Sequence, residues 1–135
     1  MPSLTPVFKE ILPEIFPVPI VVVGPTIYPY ISLKIDNPNE IGSDLVANAV
    51  AANAIYKKDC IVVDFGTALT FTTVSKKGEI LGVAIAPGLK TAIAALFSKT
   101  AQLPEVPLNL PETPVGKNTI HAIQSGILVL SLIHI

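Results

Sequence analysis

The chain has 135 residues, half of them apolar and only 14% charged, so it can bury a core and cannot be a disordered tail, which needs the opposite balance. A net charge of -1 without any basic cluster gives no electrostatic footing for nucleic acid. The apolar runs are far shorter than the roughly 20 residues of a spanning helix, and residues 1–9 lack the basic-then-apolar order of a signal peptide, so no membrane role is expected.

Twelve of the thirteen prolines cluster in residues 2–38 and 104–114, where the chain runs extended or turns and helices cannot continue. Thr5 before Pro6 is a helix start, and Val7, Phe8, Ile11 and Leu12 supply one apolar face, with Pro13 and Pro17 ending or kinking the helix. Residues 20–23 are wholly apolar and mostly β-branched, the pattern of a strand covered on both faces. A Gly-, Pro- and Asn-rich loop follows over 24–40, in which Tyr28 and Tyr30 read as packing residues. A helix begins near residues 42–44 and runs to Tyr56 on an alanine-rich surface, with Asn53 turned away from the core and Lys57 and Lys58 favouring the carboxyl end of the dipole.

Cys60, the single cysteine, opens an apolar run and reads as a small buried residue; with no internal disulfide available, the chain suits a reducing compartment. Strands are predicted at 61–65, 69–74 and 79–85, with Lys76-Lys77-Gly78 as a turn. Pro87-Gly88 opens a helix over about 89–99, residues 102–114 are irregular, and Asn118 or Thr119 caps a last helix over about 120–130. Three strands joined by tight turns and followed by a helix predict an α/β fold. It is similar to a ribonuclease-H-like lobe of the acetate/sugar kinase–actin–chaperone superfamily, a mixed sheet with flanking helices. The expected division is 1–39 as the end of a first lobe and 40–135 as most of a second.

The chemistry concentrates in three places. In Asp64-Phe65-Gly66-Thr67, a strand delivers a carboxylate and then turns at a glycine. Asp64 can hold a hard cation or cap the turn. Gly66 lets the backbone approach a phosphate, and Thr67 and Thr70 can donate to phosphate oxygens. Asp44, near a helix N-terminus, can cap that helix or act as a general base toward a substrate hydroxyl. Asn48 lies one turn on and can orient its carboxylate. Gly116-Lys117-Asn118-Thr119 is a turn and cap, or a polar-ligand site at a helix start; it lacks the glycine and Lys-Ser/Thr order of a Walker loop. His121 reads as a surface or satisfied histidine without a second ligand at metal spacing.

In this order and spacing, the sequence resembles the type III pantothenate kinases. The matching text is Asn37-Pro38-x-Glu40-Ile41-Gly42-Ser43-Asp44, Asn48-Ala49-Val50-Ala51-Ala52, Asp64-Phe65-Gly66-Thr67-Ala68, Gly82-x-Ala84-Ile85-Ala86-Pro87-Gly88-Leu89, Thr100-Ala101-x-Leu103-Pro104 and Gly116-Lys117-Asn118-Thr119 through Gln124-Ser125-Gly126. The resemblance implies ATP-dependent phosphorylation of pantothenate at its primary hydroxyl, the first step toward coenzyme A. It implies Mg²⁺ with the ATP, a monovalent cation (K⁺ or NH₄⁺), and a cytoplasmic homodimer. By matched position, Asp44 is the proton acceptor; Gly42, Ser43, Asp44, Leu45 and Thr119 contact pantothenate; Gly66 and Thr67 contact ATP; Asp64 binds the monovalent cation.

Three departures stand out. Leu45 occupies a position where the family usually has arginine, and Ile35 one where it often has tyrosine. The family's first-strand Asp-x-Gly-Asn-Thr phosphate segment is absent, and residues 130–135 do not follow the family pattern. The expectation is therefore a fragment that is inactive alone. The alternative, motivated by Leu45 and Ile35, is a nucleotide-binding regulatory protein on the same scaffold without turnover.

Overall fold

The computed structural model describes residues 4–130; the readings placed on residues 1–3 and 131–135 lie outside it. Its centre is a meander of three antiparallel strands, β1 (Cys60–Phe65), β2 (Ala68–Val74) and β3 (Ile80–Pro87), in the order β1-β2-β3. Gly66 and Thr67 alone connect β1 to β2, which fixes the register Phe65 opposite Leu69 and Asp64 opposite Thr70. The second turn is closed by the Ser75 carbonyl accepting from Gly78 N at 2.8 Å, with Gly78 in the left-handed region (φ 81°) where a side chain would be strained.

Helix α2 (Ser43–Tyr56) covers one face of this sheet. Val46 and Ala49 meet Val74 and Ile80, with Cys60 and Val62 half-buried at the edge of the cluster. Ile80 and Val46 have no exposed surface, and burying side chains of this size stabilises by roughly 1.5–3 kcal/mol each. Tyr28 completes the cluster and donates its hydroxyl to the Ile41 carbonyl at 3.2 Å, while Tyr30 is left 89% exposed. The loop over 24–40 contains two short 3₁₀ turns, Tyr28–Tyr30 and Pro38–Glu40. It also makes one parallel bridge, Leu33 to Ile80, on the outer edge of β3. β1 has no strand on its other side among the described residues.

A second cluster joins α3 (Leu89–Lys99), the proline-rich segment and the last helix through Ile93, Val106, Ile123 and Ile127. The last helix starts as α4 (Thr119–Gln124) and widens into a π turn over Ser125–Val129, where Leu130 N bonds back to Ser125 O. The widening coincides with buried polar anchors: Gln124 Nε2 donates to Pro107 O at 2.9 Å and Ser125 Oγ to Thr113 O at 3.2 Å.

Three local expectations are corrected. Residues 20–23 form no strand; Val21 is 73% exposed, because β-branched preference needs a ladder and no described strand reaches this segment. Asn53 is half-buried rather than outward, donating its amide to the Ser75 and Lys76 carbonyls at 3.2 and 3.3 Å and so fastening α2 to the β2–β3 turn. Helix α1 (Thr5–Ile15) forms where expected, but Leu4 rather than Thr5 is its N-cap, no side chain caps it, it continues through Pro13, and it buries none of its residues.

Candidate active site

Two elements position the two candidate acids. Gly42 is the N-cap of α2 and Asp44 lies in its first turn. Asp44 does not cap: its exposed carboxylate makes no hydrogen bond among the described residues, and its Oδ1 folds back over the Gly42 Cα, where any added Cβ would collide with it. Asp64, next to last in β1, is half-buried and accepts from Asn48 Nδ2 at 3.4 Å. Asn48 thus serves Asp64, not the Asp44 carboxylate, and joins the helix that carries one acid to the strand that carries the other.

Gly42 and Leu45 line a cleft of about 300 Å³ with Ile35, Val83 and Ile85. Asp36 and Glu40 also line it, but no lysine or arginine does. Ser43 lies outside this cleft, in a neighbouring hollow with Tyr28 and Asn39.

Gly66 and Thr67 line a separate cleft of about 350 Å³ with Lys90 and Thr91 from the start of α3. Here the turn is braced. Thr67 O accepts from Gly88 N at 3.0 Å and from Thr91 Oγ1 at 2.7 Å. Position 88 must be glycine, because a Cβ would run into the Gly66 and Thr67 carbonyls. The bracing holds the Thr67 carbonyl inward and leaves the threonine exposed at the turn.

Thr119 lines a third cleft, of about 680 Å³, with Gly116, Lys117 and Asn118. Asn118 is the cap there, accepting from His121 N at 2.9 Å, and His121 is exposed beside it. Within this chain Thr119 therefore sits in a different cleft from Gly42 and Leu45.

Sequence reasoning missed Lys90, a cation in the first turn of α3. Dipole arguments disfavour a lysine there, and only the fold shows that it lines the same cleft as Gly66 and Thr67. Thr70, a phosphate donor on sequence grounds, is placed otherwise by the fold. Its hydroxyl is buried, without any hydrogen-bond partner among the described residues, on the strand position that faces Asp64. An orphaned oxygen beside a lone carboxylate fits an oxygen-seeking cation of low charge. No group of three or more His, Cys, Asp or Glu gathers among the described residues, and the pair facing each other here is one carboxylate and one hydroxyl.

An antiparallel meander with helices against it, a carboxylate at the end of its first strand and a glycine turn after it defines an α/β domain of the kinase–actin–chaperone kind. The type III pantothenate kinase profile matches residues 1–135. The chain is 51% identical over 129 residues to the type III pantothenate kinase of Treponema pallidum strain Nichols, covering 94% of this chain and 47% of that protein. It is 50% identical over 127 residues to that of Dictyoglomus turgidum (94% and 49%), and 42% identical over 127 residues to that of Dehalococcoides mccartyi strain BAV1 (94% and 48%). A crystal structure from Campylobacter jejuni, of a protein assigned to the Baf family of transcriptional activators, superposes with a TM-score of 0.51 at 22% identity, covering 80% of this chain and 51% of that one. That likeness concerns the fold alone. The chain belongs to the type III pantothenate kinase family. It spans about half the length of the curated relatives it matches. No helix among the described residues is long and apolar enough to cross a membrane.

Proposed function

We propose that this chain supplies the acceptor and cation side of an ATP-dependent pantothenate kinase, in which pantothenate becomes 4'-phosphopantothenate at the start of coenzyme A synthesis. The observation that carries the reading is the Asp44 carboxylate, exposed and without a partner against Gly42 at the rim of the Leu45 cleft.

In this reading the primary hydroxyl of pantothenate lies at the Gly42–Leu45 cleft, and Asp44 takes its proton as the oxygen bonds to the γ-phosphorus. The bond from that phosphorus to the β,γ-bridging oxygen breaks, and ADP leaves. A positioned base of this kind contributes about 10²–10⁴-fold, the remainder being positioning and charge neutralisation. Gly66, Thr67 and Lys90 meet the nucleotide phosphates at the second cleft. Asp64 holds the monovalent cation (K⁺ or NH₄⁺), with its carboxylate steered by Asn48. Mg²⁺ arriving with ATP and the cation at Asp64 supply fixed positive charge near the phosphates. The division into lobes at about residue 39, a role for Thr119 toward pantothenate, a homodimer and a cytoplasmic setting belong to the same proposal. So does the inactivity of the 135-residue chain by itself, since its relatives are about twice as long.

The test is pantothenate-dependent ADP release by a polypeptide of the relatives' length that contains these residues, compared with its Asp44→Asn variant. Undiminished turnover in the variant would remove Asp44 from the chemistry. Steady ADP production by the 135-residue chain would remove the claim of inactivity.

A second reading, a nucleotide-binding regulator without turnover, is favoured by one observation. Pantothenate is a carboxylate, yet the cleft offers it Asp36 and Glu40 and no cation. Calorimetry separates the two: ATP binding without any pantothenate binding in the longer polypeptide selects the regulator.

A further inference from the structure

The sheet face beneath α2 buries Val74, Ile80 and Thr72, and carries a carboxylate and a hydroxyl, Asp64 and Thr70, near the end of β1. Register sets Asp64, Thr70 and Ile85 side by side across β1, β2 and β3. Directly opposed residues on neighbouring strands bring their Cβ atoms to about 4.5–5.5 Å. Thr70 is 9% exposed as a residue, and its Oγ1 is buried without a hydrogen-bond partner. It does not bond Asp64, and one Asp64 oxygen, Oδ2, is already engaged by Asn48. A buried hydroxyl left unpaired is unfavourable, and native proteins rarely leave one without a reason. Here Thr70, whose hydroxyl is unpaired among the described residues, and Asp64, whose Oδ1 is not engaged by Asn48, are directly opposed on adjacent strands. Hard cations take oxygen ligands, and one carboxylate with neutral oxygens balances a single positive charge.

We propose that Thr70 Oγ1 is a direct ligand of the alkali cation that Asp64 holds, so that two side chains facing each other across β1 and β2 form one site. The proposal rests on the reading of Asp64 given above and adds a ligand to it.

The experiment uses the 135-residue chain and follows its thermal midpoint in KCl against tetramethylammonium chloride at equal ionic strength. The wild-type midpoint rises in K⁺. Asp64→Asn abolishes the rise, and so does Thr70→Val, although Thr70→Val is at least as stable as the wild type in tetramethylammonium because the orphaned hydroxyl is gone. Thr70→Ser keeps the response. Thr70→Cys replaces a hard oxygen with a soft sulfur. Its half-saturating K⁺ concentration rises by about tenfold or more, while thallium(I), an ion of similar size and greater affinity for sulfur, still raises the midpoint. A Thr70→Val chain that responds to K⁺ like the wild type, with Asp64→Asn silent, overturns the role of Thr70 and leaves Asp64 in place. Thr70 is equally excluded as a ligand if Thr70→Cys treats K⁺ and thallium(I) as the wild type does, an outcome readable even if the valine variant fails to fold. A wild-type chain indifferent to K⁺, or an Asp64→Asn chain that responds fully, overturns both.

Discussion

Asn48 reaches from α2 to the end of β1 and donates its side-chain amide to Asp64 at 3.4 Å. One helical turn earlier on the same helix stands Asp44. The helix that carries Asp44 is packed on the sheet through Val46 and Ala49, and Asn48 adds a side-chain bond from it to Asp64, so a change at Asn48 should be felt at Asp64 more than in folding.

Asn48→Ala is expected to cost about 0.5–1 kcal/mol of stability at most, because the bond is long and exposed. In a polypeptide of the relatives' length, the apparent affinity for K⁺ should weaken by several-fold. Urea unfolding and K⁺ titration of turnover check the two halves; a stability loss of several kcal/mol would show that Asn48 holds the fold instead.

Asp44→Asn should leave stability within about 0.5 kcal/mol, since the side chain is exposed and makes no hydrogen bond among the described residues. It should lower kcat by about 10²–10⁴-fold with little change in the KM for ATP. Steady-state kinetics with both substrates varied, beside a urea curve, test this. A fall confined to KM would reassign Asp44 from proton acceptor to binding group.

Gly88→Ala forces a methyl group into the Gly66 and Thr67 carbonyls and should destabilise by about 1–3 kcal/mol or more. Gly24→Ala is the control: nothing stands within 4 Å of a Cβ there, so its cost should be near zero or slightly negative. Comparing denaturation midpoints distinguishes a demand of the braced turn from a general effect of replacing glycine.

The meander, α2 and α3 were legible because local signals agreed: alternation in residues 69–74, a glycine turn at 76–78, and Pro87-Gly88 ahead of the helix. Residues 20–23 were not legible, since four apolar residues look the same whether or not another strand pairs with them. The site was readable as residue types and unreadable as pairs. Spacing on the helix put Asn48 with Asp44, whereas the packing of α2 on β1 gave it to Asp64. Likewise Thr70 stood in the sequence as one more threonine, and only the strand register shows which carboxylate it faces. Thr119 matched a family position, yet the cleft it lines is built from α4 and α3 rather than from α2.

Leu45→Arg should tighten pantothenate binding by about tenfold in a polypeptide of the relatives' length, because a guanidinium in the cleft would pair with the substrate's carboxylate. It should also cost about 1–3 kcal/mol of stability, since Leu45 is buried. Titration calorimetry reads the affinity. Unchanged affinity would place the substrate's anionic end outside this cleft.

The bare flank of β1 has a practical side. Among the described residues no strand pairs with its outer amides and carbonyls, which can take up an extended chain that drifts alongside, and Ile61, 62% exposed, adds stickiness rather than deterrence. Concentrated solutions of the 135-residue chain should thus turn turbid sooner than dilute ones. Ile61→Lys, acting as a gatekeeper, should delay that clouding without disturbing either acid.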